Sequence, residues 1–182
     1  MISLQTQLNP HFLFNSFNTL IGLIEVNPEK GITFTEKLTD FYRNILEVGK
    51  NDLILLKEEI LLLDTYIHLI RERFGEQLNI VININDIESY KIPPLTLQLL
   101  IENAVTHNTV SSKKPLHIEI KQNDKIITVT NEIMPKLGNT RGTGIGLENI
   151  KKRHTLNNLK PPTVEKSDTH FIVTIYLNKI EE

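Results

Sequence analysis

A chain of 182 residues is long enough for one domain or two small ones and too short for a large multidomain enzyme. Its 20 basic and 22 acidic residues leave a net charge of −2, which gives no reason to expect nucleic acid or an anionic membrane as the main partner. Cysteine is absent, which excludes disulfides, zinc–thiolate sites, iron–sulfur clusters and a cysteine nucleophile.

Residues 1–24 contain no charged side chain, unlike the rest of the chain. A signal peptide would have a basic start and an unbroken apolar stretch, whereas polar residues such as Asn9, His11 and Asn15 interrupt this segment. No stretch reaches the ~18 to 20 apolar residues that a membrane span needs. We therefore expect neither a signal peptide nor a transmembrane helix in this segment.

On a helical wheel the first segment separates into two faces. The polar face holds His11, with Gln7, Asn15, Asn18 and Gly22. The apolar stripe holds Leu13, Phe14, Phe17, Leu20, Ile21 and Ile24. A lone histidine among apolar residues is commonly a core residue, but its place on the polar face favours an accessible imidazole.

Two more helices are predicted before residue 75. Thr33 with Glu36 three residues later matches a capping box and predicts the start of the second helix. Apolar residues then recur at steps of four and three, at Phe34, Leu38, Phe41, Ile45 and Val48, and again at Leu56, Ile60, Leu63, Ile67, Ile70 and Phe74. Such seams must be buried against other helices, in a hairpin or in a bundle completed by a second copy of the chain, so dimerisation is expected.

From Gly75 the pattern becomes that of an α+β domain. Alternating apolar residues predict strands at 78–84, 116–120, 126–130, 163–166 and 171–177, most of them joined as hairpins. Helices are predicted at 95–107, with Pro94 suited to the first helical position, and at 147–158. The chain thus divides into a helical part, 1–74, and an α+β part, 75–182.

Two segments of the second part carry residue types suited to phosphate and metal chemistry. Three alternate glycines precede a helix, which suits an anion cradle, although a flexible hinge is the alternative. On the helix at 95–107, Asn103 and His107 share a face and Glu102 lies beside them. These groups could hold a hard cation and supply an acid or base, the alternative being a solvated polar stripe.

Three segments together resemble the signature segments of the LytS/YehU-type sensor histidine kinases, in their order and spacing. They are residues 7–18 (QLNPHFLFNSFN), 93–107 (PPLTLQLLIENAVTH) and 142–153 (GTGIGLENIKKR). The resemblance covers essentially the whole chain. It implies an α+β fold in which a dimerising helical hairpin precedes a Bergerat-type (GHKL) ATP-binding α/β sandwich.

The resemblance also implies roles for individual residues. His11 would be the phosphoacceptor, Asn103 the magnesium ligand and Glu102 a candidate catalytic base. ATP and Mg²⁺ would be bound by Asn103, His107, Asn108, Asn131, Gly142, Thr143, Gly144, Gly146, Leu147 and Arg153. The phosphoryl group would pass from a homodimer to an aspartate of a response regulator, which the resemblance suggests is of LytTR type.

Two departures from the family pattern keep alternatives open. Phe12 stands where many histidine kinases have an acidic residue. The imidazole proton would therefore pass to Glu102 or to solvent, or the reaction would use no base. The adenine-reading Asp-x-Gly-x-Gly segment is missing, and Asn131 at the matching strand end would read adenine without a charged acceptor. The alternative is therefore a pseudokinase scaffold with weak or no ATP binding. A Bergerat-fold serine kinase is disfavoured because the helical part carries the histidine.

Two other histidines are expected to be structural or exposed. His68 lies in the third helix, and His154 is expected in a solvated basic helix end beside Arg153. The resemblance also implies a longer natural protein with sensory or membrane segments ahead of this one. On that expectation the chain is the cytoplasmic portion of a bacterial inner-membrane sensor.

Overall fold

The computed structural model describes residues 10–136 and 145–180. The first part of the fold is helical apart from one short strand. It consists of α1 (Pro10–Val26), α2 (Pro28–Val48), β1 (Ile54–Leu55) and α3 (Leu56–Phe74). Most of the predicted seam of α2 and α3 is buried, including Phe34, Leu38, Phe41, Ile45, Leu56, Leu63, Ile67 and Ile70.

The start of α2 differs from the prediction. Asn27 caps the helix by accepting the backbone N–H of Lys30 at 3.1 Å, and Pro28 occupies the first helical position. Thr33 lies inside the helix, where its hydroxyl donates to the Glu29 carbonyl at 3.1 Å. The capping box at Thr33 is therefore wrong, because an asparagine cap followed by proline starts the helix earlier.

An aromatic cluster joins the three helices. Phe12 of α1, Phe41 of α2 and Tyr66 of α3 have ring centroids between 5.2 and 5.9 Å apart. Phe41 is fully buried, and Tyr66 is nearly so. The cluster fixes the first turn of α1, which carries His11, against the other two helices.

The apolar stripe of α1 faces largely outward. Phe14, Phe17, Ile21 and Ile24 are 47–67% exposed. The side of α1 that packs on α2 and α3 carries Phe12, the buried Ser16, Leu20 and Leu23. Within one chain the hairpin therefore leaves most of the predicted apolar stripe uncovered.

The second part of the chain adds two sheets and two helices. Its elements are β2 (Leu78–Asn83), β3 (Tyr90–Ile92), α4 (Thr96–His107), β4 (Leu116–Asn123), β5 (Ile126–Glu132), α5 (Ile145–Leu156), β6 (Thr163–Lys166), β7 (His170–Tyr176) and β8 (Asn178–Lys179). The main sheet has the order β2-β4-β5-β7-β6, with β2 and β4 parallel and the other neighbours antiparallel.

The main sheet and the helices bury a common core. Ile118 and Ile120 of β4, Ile127 of β5 and Ile175 of β7 are at most 1% exposed. They belong to one cluster with residues of the covering helices, among them Leu63, Leu97, Ile101 and Ile150. The predicted α+β fold with an α/β sandwich is confirmed.

A smaller sheet ties the first part of the chain to the second. It has the order β1-β3-β8, and Ile54 of β1 lies opposite Ile92 of β3, both of them buried. The prediction that residues 1–74 are helical throughout is therefore wrong at 54–55, where two β-branched residues pair across strands. A domain boundary near residue 75 stays a prediction.

The start of α4 depends on a distant carboxylate. Glu59 of α3 is 1% exposed, and its two carboxylate oxygens accept the backbone N–H groups of Leu95 and Leu97, each at 2.7 Å. Leu95 adopts a left-handed φ of 65°, and the helix begins at Thr96. Pro94 is thus outside the helix, because Glu59 caps a start that the local sequence does not define.

Glu59 should make the stability of the fold depend on pH. Burial raises its pKa from the usual 4.5 to about 7, against the opposing effects of the accepted N–H bonds and of Arg153. The folded state then binds this proton more tightly than the unfolded chain, so the free energy of unfolding should fall by about 3 kcal/mol between pH 4.5 and pH 7. Urea unfolding followed by circular dichroism at several pH values measures this fall.

Two variants calibrate that measurement. Glu59→Gln should flatten the fall between pH 4.5 and pH 7, because glutamine does not titrate. Asp64→Asn, an exposed change on the same helix, should keep it. An equal pH dependence in wild type and Glu59→Gln would assign the fall to other groups.

The predicted solvated position of His154 is wrong. The side chain is fully buried on α5, and its Nδ1 donates to the Ile150 carbonyl at 2.9 Å. Its Nε2 is buried without a hydrogen-bond partner among the described residues. Burial lowers the pKa of His154, which keeps the ring neutral in the core. His68, by contrast, is half-buried on α3.

Candidate functional site

A cavity of about 210 Å³ lies where α1, α3 and α4 meet. It brings His11 of α1 and Glu102 of α4 to the same space, although these residues belong to different predicted parts of the chain. The lining also includes Asn15, Tyr66, Arg73, Thr106 and Lys136.

His11 is exposed in the first turn of α1, in agreement with the wheel. The side-chain amide nitrogen of Asn15, one turn later, lies 3.2 Å from its Nδ1 and 3.3 Å from its Nε2. An amide N–H can bond only to a ring nitrogen that has a free lone pair. Asn15 therefore lies within hydrogen-bonding distance of the imidazole of His11, one turn away on the same helix.

Glu102 lies beside the aromatic wall of the cavity. Burial raises the pKa of Tyr42 to about 12, and the negative charge of Glu102 adds to this shift. The pKa of Tyr66 is raised well above its usual value by the same two causes. Both phenols are therefore neutral at physiological pH, and Glu102 is the one carboxylate among the described residues that line the cavity.

The other predicted residues of α4 have different surroundings. Asn103 and His107 are half-buried, one turn apart on the helix. Asn108 is 4% exposed; its amide group donates to the Ala104 carbonyl at 2.8 Å and accepts the Met134 N–H at 2.6 Å. Asn108 thus fastens the end of α4 to the segment after β5, with one amide N–H and one oxygen lone pair used in these bonds.

Asn131 lies near the end of β5, on the same face of the sheet as Ile127 and Val129. It is 5% exposed, and its amide nitrogen donates to the Glu132 carbonyl at 2.7 Å. This bond uses the nitrogen, while the predicted adenine contact requires the amide oxygen as acceptor. The position is therefore compatible with that prediction and does not test it.

The glycine segment is described only in part. Gly142, Thr143 and Gly144 lie outside the described residues, while Gly146 belongs to the first turn of α5 and Leu147 packs against the core. Among the described residues, a Cβ added at Gly146 would meet no heavy atom within 4 Å, so their packing does not require glycine there.

Arg153 does not line the His11 cavity. Its guanidinium donates to the Pro94 carbonyl at 2.7 Å and lies close enough to Glu59 for the opposite charges to affect both pKa values. Arg153 therefore supports the start of α4 from α5, at the opposite end of that helix from Asn103 and His107.

Comparisons with known proteins identify the family of the chain. The model of the family described as histidine kinase matches residues 1–78. Sensor protein LytS of Oceanobacillus iheyensis is 33% identical over 172 residues, which is 84% of this chain and 29% of the relative. The chain belongs to the LytS-type histidine kinase family. The sensor histidine kinase/phosphatase LytS of Staphylococcus aureus strain MRSA252 is 32% identical over 83% of this chain and 29% of its own length.

This LytS-type chain thus spans less than a third of the length of these relatives. Two solved structures are also similar to it. The histidine kinase AdeS of Acinetobacter baumannii is 16% identical, with a TM-score of 0.44, and the match covers 92% of this chain and 96% of that one. The cytoplasmic segment of the histidine kinase QseC is 12% identical, with a TM-score of 0.47, and the match covers 81% of this chain and 95% of that one. None of the helices in the described ranges is both long and apolar enough to cross a membrane.

The family implies the use of ATP, typically with Mg²⁺, and α4 carries a residue type that suits this metal. Magnesium commonly takes one or two protein oxygen ligands and completes its shell with phosphate oxygens and water. Asn103, half-buried on α4, can supply one such oxygen. Within the described residues no cluster of three or more acidic, histidine or cysteine side chains could hold a metal without such outside ligands.

Two residues that the sequence did not single out complete the cavity. Arg73 lies in the last turn of α3, and Lys136 follows β5. A basic residue at the end of a helix commonly serves only the helix dipole, so Arg73 does not stand out in the sequence, and Lys136 belongs to no recognisable motif. Only the packing of α3 and α4 brings them to His11.

Proposed function

We propose that the chain is the kinase core of a two-component sensor, which phosphorylates His11 from ATP and passes the phosphoryl group to an aspartate of a response regulator. The observation that carries the proposal is the shared cavity of His11 and Glu102. It brings the candidate phosphoacceptor to the helix that carries the candidate magnesium ligand, Asn103.

The residues of the cavity would divide the reaction between them. Asn15 orients the imidazole, and the aromatic contacts of Phe12 hold the first turn of α1 in place. A ring nitrogen of His11 attacks the γ-phosphorus; the new N–P bond forms as the P–O bond to ADP breaks. Glu102, which lines the same cavity, would accept the imidazole proton. Asn103 would hold magnesium, whose charge offsets that of the transferred group.

The nucleotide would lie between α4, the end of β5 and the start of α5. In this proposal His107, Asn131, Leu147 and Gly146 form its surroundings, and the segment with Gly142, Thr143 and Gly144 approaches the phosphates. Asn108 and Arg153 act by holding α4, as their contacts with Met134 and Pro94 support.

A homodimer is part of the proposal. The exposed residues Phe14, Phe17, Ile21 and Ile24 form an apolar face along α1 that a second α1 would cover in a helical bundle. The response regulator, of LytTR type by family resemblance, would approach the exposed His11. The chain would act as the cytoplasmic kinase portion of a membrane-attached sensor.

Labelling with γ-³²P-ATP and magnesium tests the kinase. Wild-type protein should take acid-labile, alkali-stable label, and His11→Gln should take none, because glutamine has no nucleophilic nitrogen. His68→Gln serves as the matched control, since His68 is half-buried on α3 and outside the cavity; it should be labelled like wild type. Stable label in His11→Gln would refute the assignment.

A pseudokinase scaffold is the second candidate. The observation that favours it is Asn131, a neutral amide at the strand end where the family has an adenine-reading carboxylate. Calorimetry with ATP and magnesium distinguishes the two, because folded protein without measurable nucleotide binding would be a scaffold and not a kinase.

A further inference from the structure

Two positive side chains line the cavity of His11 from different parts of the fold. Arg73 comes from the end of α3 and Lys136 from the segment after β5. The Lys136 ammonium donates to the carbonyls of Thr106 at 2.7 Å and Val105 at 3.1 Å, at the C-terminal end of α4. An ammonium group has three N–H donors, so this anchoring fixes its position and leaves one donor for another acceptor.

The two charges are close enough to repel each other. Burial lowers the pKa of Lys136, and the positive charge of Arg73 lowers it further. Keeping two like charges together in a partly buried cavity costs free energy unless an anion offsets it. The cavity therefore favours a negatively charged occupant.

The described residues do not supply that anion by salt bridges. Neither Arg73 nor Lys136 forms one within the described ranges, whereas Lys57 pairs with Glu88 at 2.7 Å and Arg43 with Asp40 at 2.8 Å. The guanidinium carbon of Arg73 lies 4.7 Å from the centroid of the Phe74 ring, a contact that leaves its N–H donors available. Among the described residues that line the cavity, Arg73, Lys136 and Glu102 carry formal charges that sum to +1.

We propose that Arg73 and Lys136 form a binding site for the phosphoryl group while it is attached to His11. The inference rests on the proposed role of His11 as phosphoacceptor. A phosphoryl group on the imidazole is a dianion with three acceptor oxygens. The planar guanidinium of Arg73 suits two of these oxygens, and the anchored ammonium of Lys136 suits a third.

Chemical phosphorylation tests this site without ATP. Potassium phosphoramidate transfers its phosphoryl group directly to histidine: the P–N bond to ammonia breaks, the P–N bond to the imidazole forms, and ammonia leaves. The resonance of phospho-His11 in a ³¹P NMR spectrum is the one that His11→Gln lacks. Its chemical shift followed against pH gives the pKa of the phosphoryl group, which nearby cations lower because they favour the dianion.

The expected result is a higher phosphoryl pKa in the variants. Arg73→Ala and Lys136→Ala should each raise it by roughly one pH unit and slow labelling by phosphoramidate by about tenfold, since each removes one cation from the site. Arg73→Lys should raise the pKa less, because it keeps the charge. Arg71→Ala is the matched control: Arg71 is exposed on the same helix and outside the cavity.

Two outcomes would overturn the proposal. One is a phosphoryl pKa and labelling rate in Arg73→Ala and Lys136→Ala equal to those of wild type and Arg71→Ala. The other is folded wild-type protein whose His11 resists phosphoramidate. If phosphoramidate gives the expected shifts but ATP gives no label, the kinase proposal fails and the phosphoryl site stands. Arg73→Ala and Lys136→Ala change exposed side chains, and unchanged circular dichroism spectra verify that the two variants are folded.

Discussion

Mixed dimers assembled from one His11→Gln chain and one Asn103→Ala chain should take no label from ATP. The cavity joins His11 to α4 of its own chain, so the proposed phosphotransfer takes place within one chain. In the mixed dimer, the chain that keeps His11 lacks the proposed magnesium ligand, and the chain that keeps Asn103 lacks the nucleophile. Neither chain has both groups.

Co-expression of the two chains with different affinity tags and purification over both tags isolates the mixed dimer. The control is a dimer of wild-type and His11→Gln chains, in which only the wild-type chain should be labelled. Label on the Asn103→Ala chain would mean that the two chains exchange phosphoryl groups, and the cavity within one chain would then not be the reacting geometry.

Phe41→Ala should have the largest effect on stability. Phe41 is fully buried, and its ring contacts Phe12 at 5.6 Å, Tyr42 at 5.7 Å and Tyr66 at 5.9 Å between centroids. Deleting a buried phenyl ring costs about 3–5 kcal/mol, a large part of the ~5–15 kcal/mol that stabilises a typical domain. Urea unfolding at fixed protein concentration should show a lower midpoint with little change in slope.

Leu156→Ala is the control for this loss. Leu156 is 64% exposed at the end of α5, so its truncation should change the free energy of unfolding by less than about 0.5 kcal/mol. An equal effect of the two substitutions would show that the aromatic cluster does not hold α1. If the cluster does hold α1, Phe41→Ala protein that is still folded should also be labelled more slowly at His11, because Phe41 contacts Phe12, the residue next to His11 in the first turn of that helix.

Periodicity predicted most of the fold because it reflects burial directly. The seam of Phe34, Leu38, Phe41 and Ile45 is buried as its spacing requires, and the strand at 163–166 has the predicted bounds. The errors lie where a helix cap or a pairing with a distant strand sets the bounds of an element. Asn27 starts α2 ahead of Thr33, and residues 54–55 form a strand because Ile54 finds its partner only in the folded chain.

The site residues also fall into those that the sequence predicts and those that it does not. The motif around His11 and the polar face of α4 were visible in the sequence because each lies within one segment with a recognisable pattern. Glu59 and Lys136 were not, since their partners are far away along the chain: Glu59 accepts the N–H groups of Leu95 and Leu97, and Lys136 donates to the end of α4. His154 was misplaced because its neighbours in sequence are charged while its neighbours in space are apolar.

The sequence by itself therefore determined the order of the helices and strands, the family, and the residue that is the candidate phosphoacceptor. These follow from local spacing and from motifs within single segments. Only the tertiary structure decided that His11 and Glu102 share a cavity, that Arg73 and Lys136 converge there, and that Glu59 fixes the start of α4. Each of these depends on contacts between distant segments, whose geometry is set by the packing of α3 against α1 and α4 and is not encoded in any local pattern.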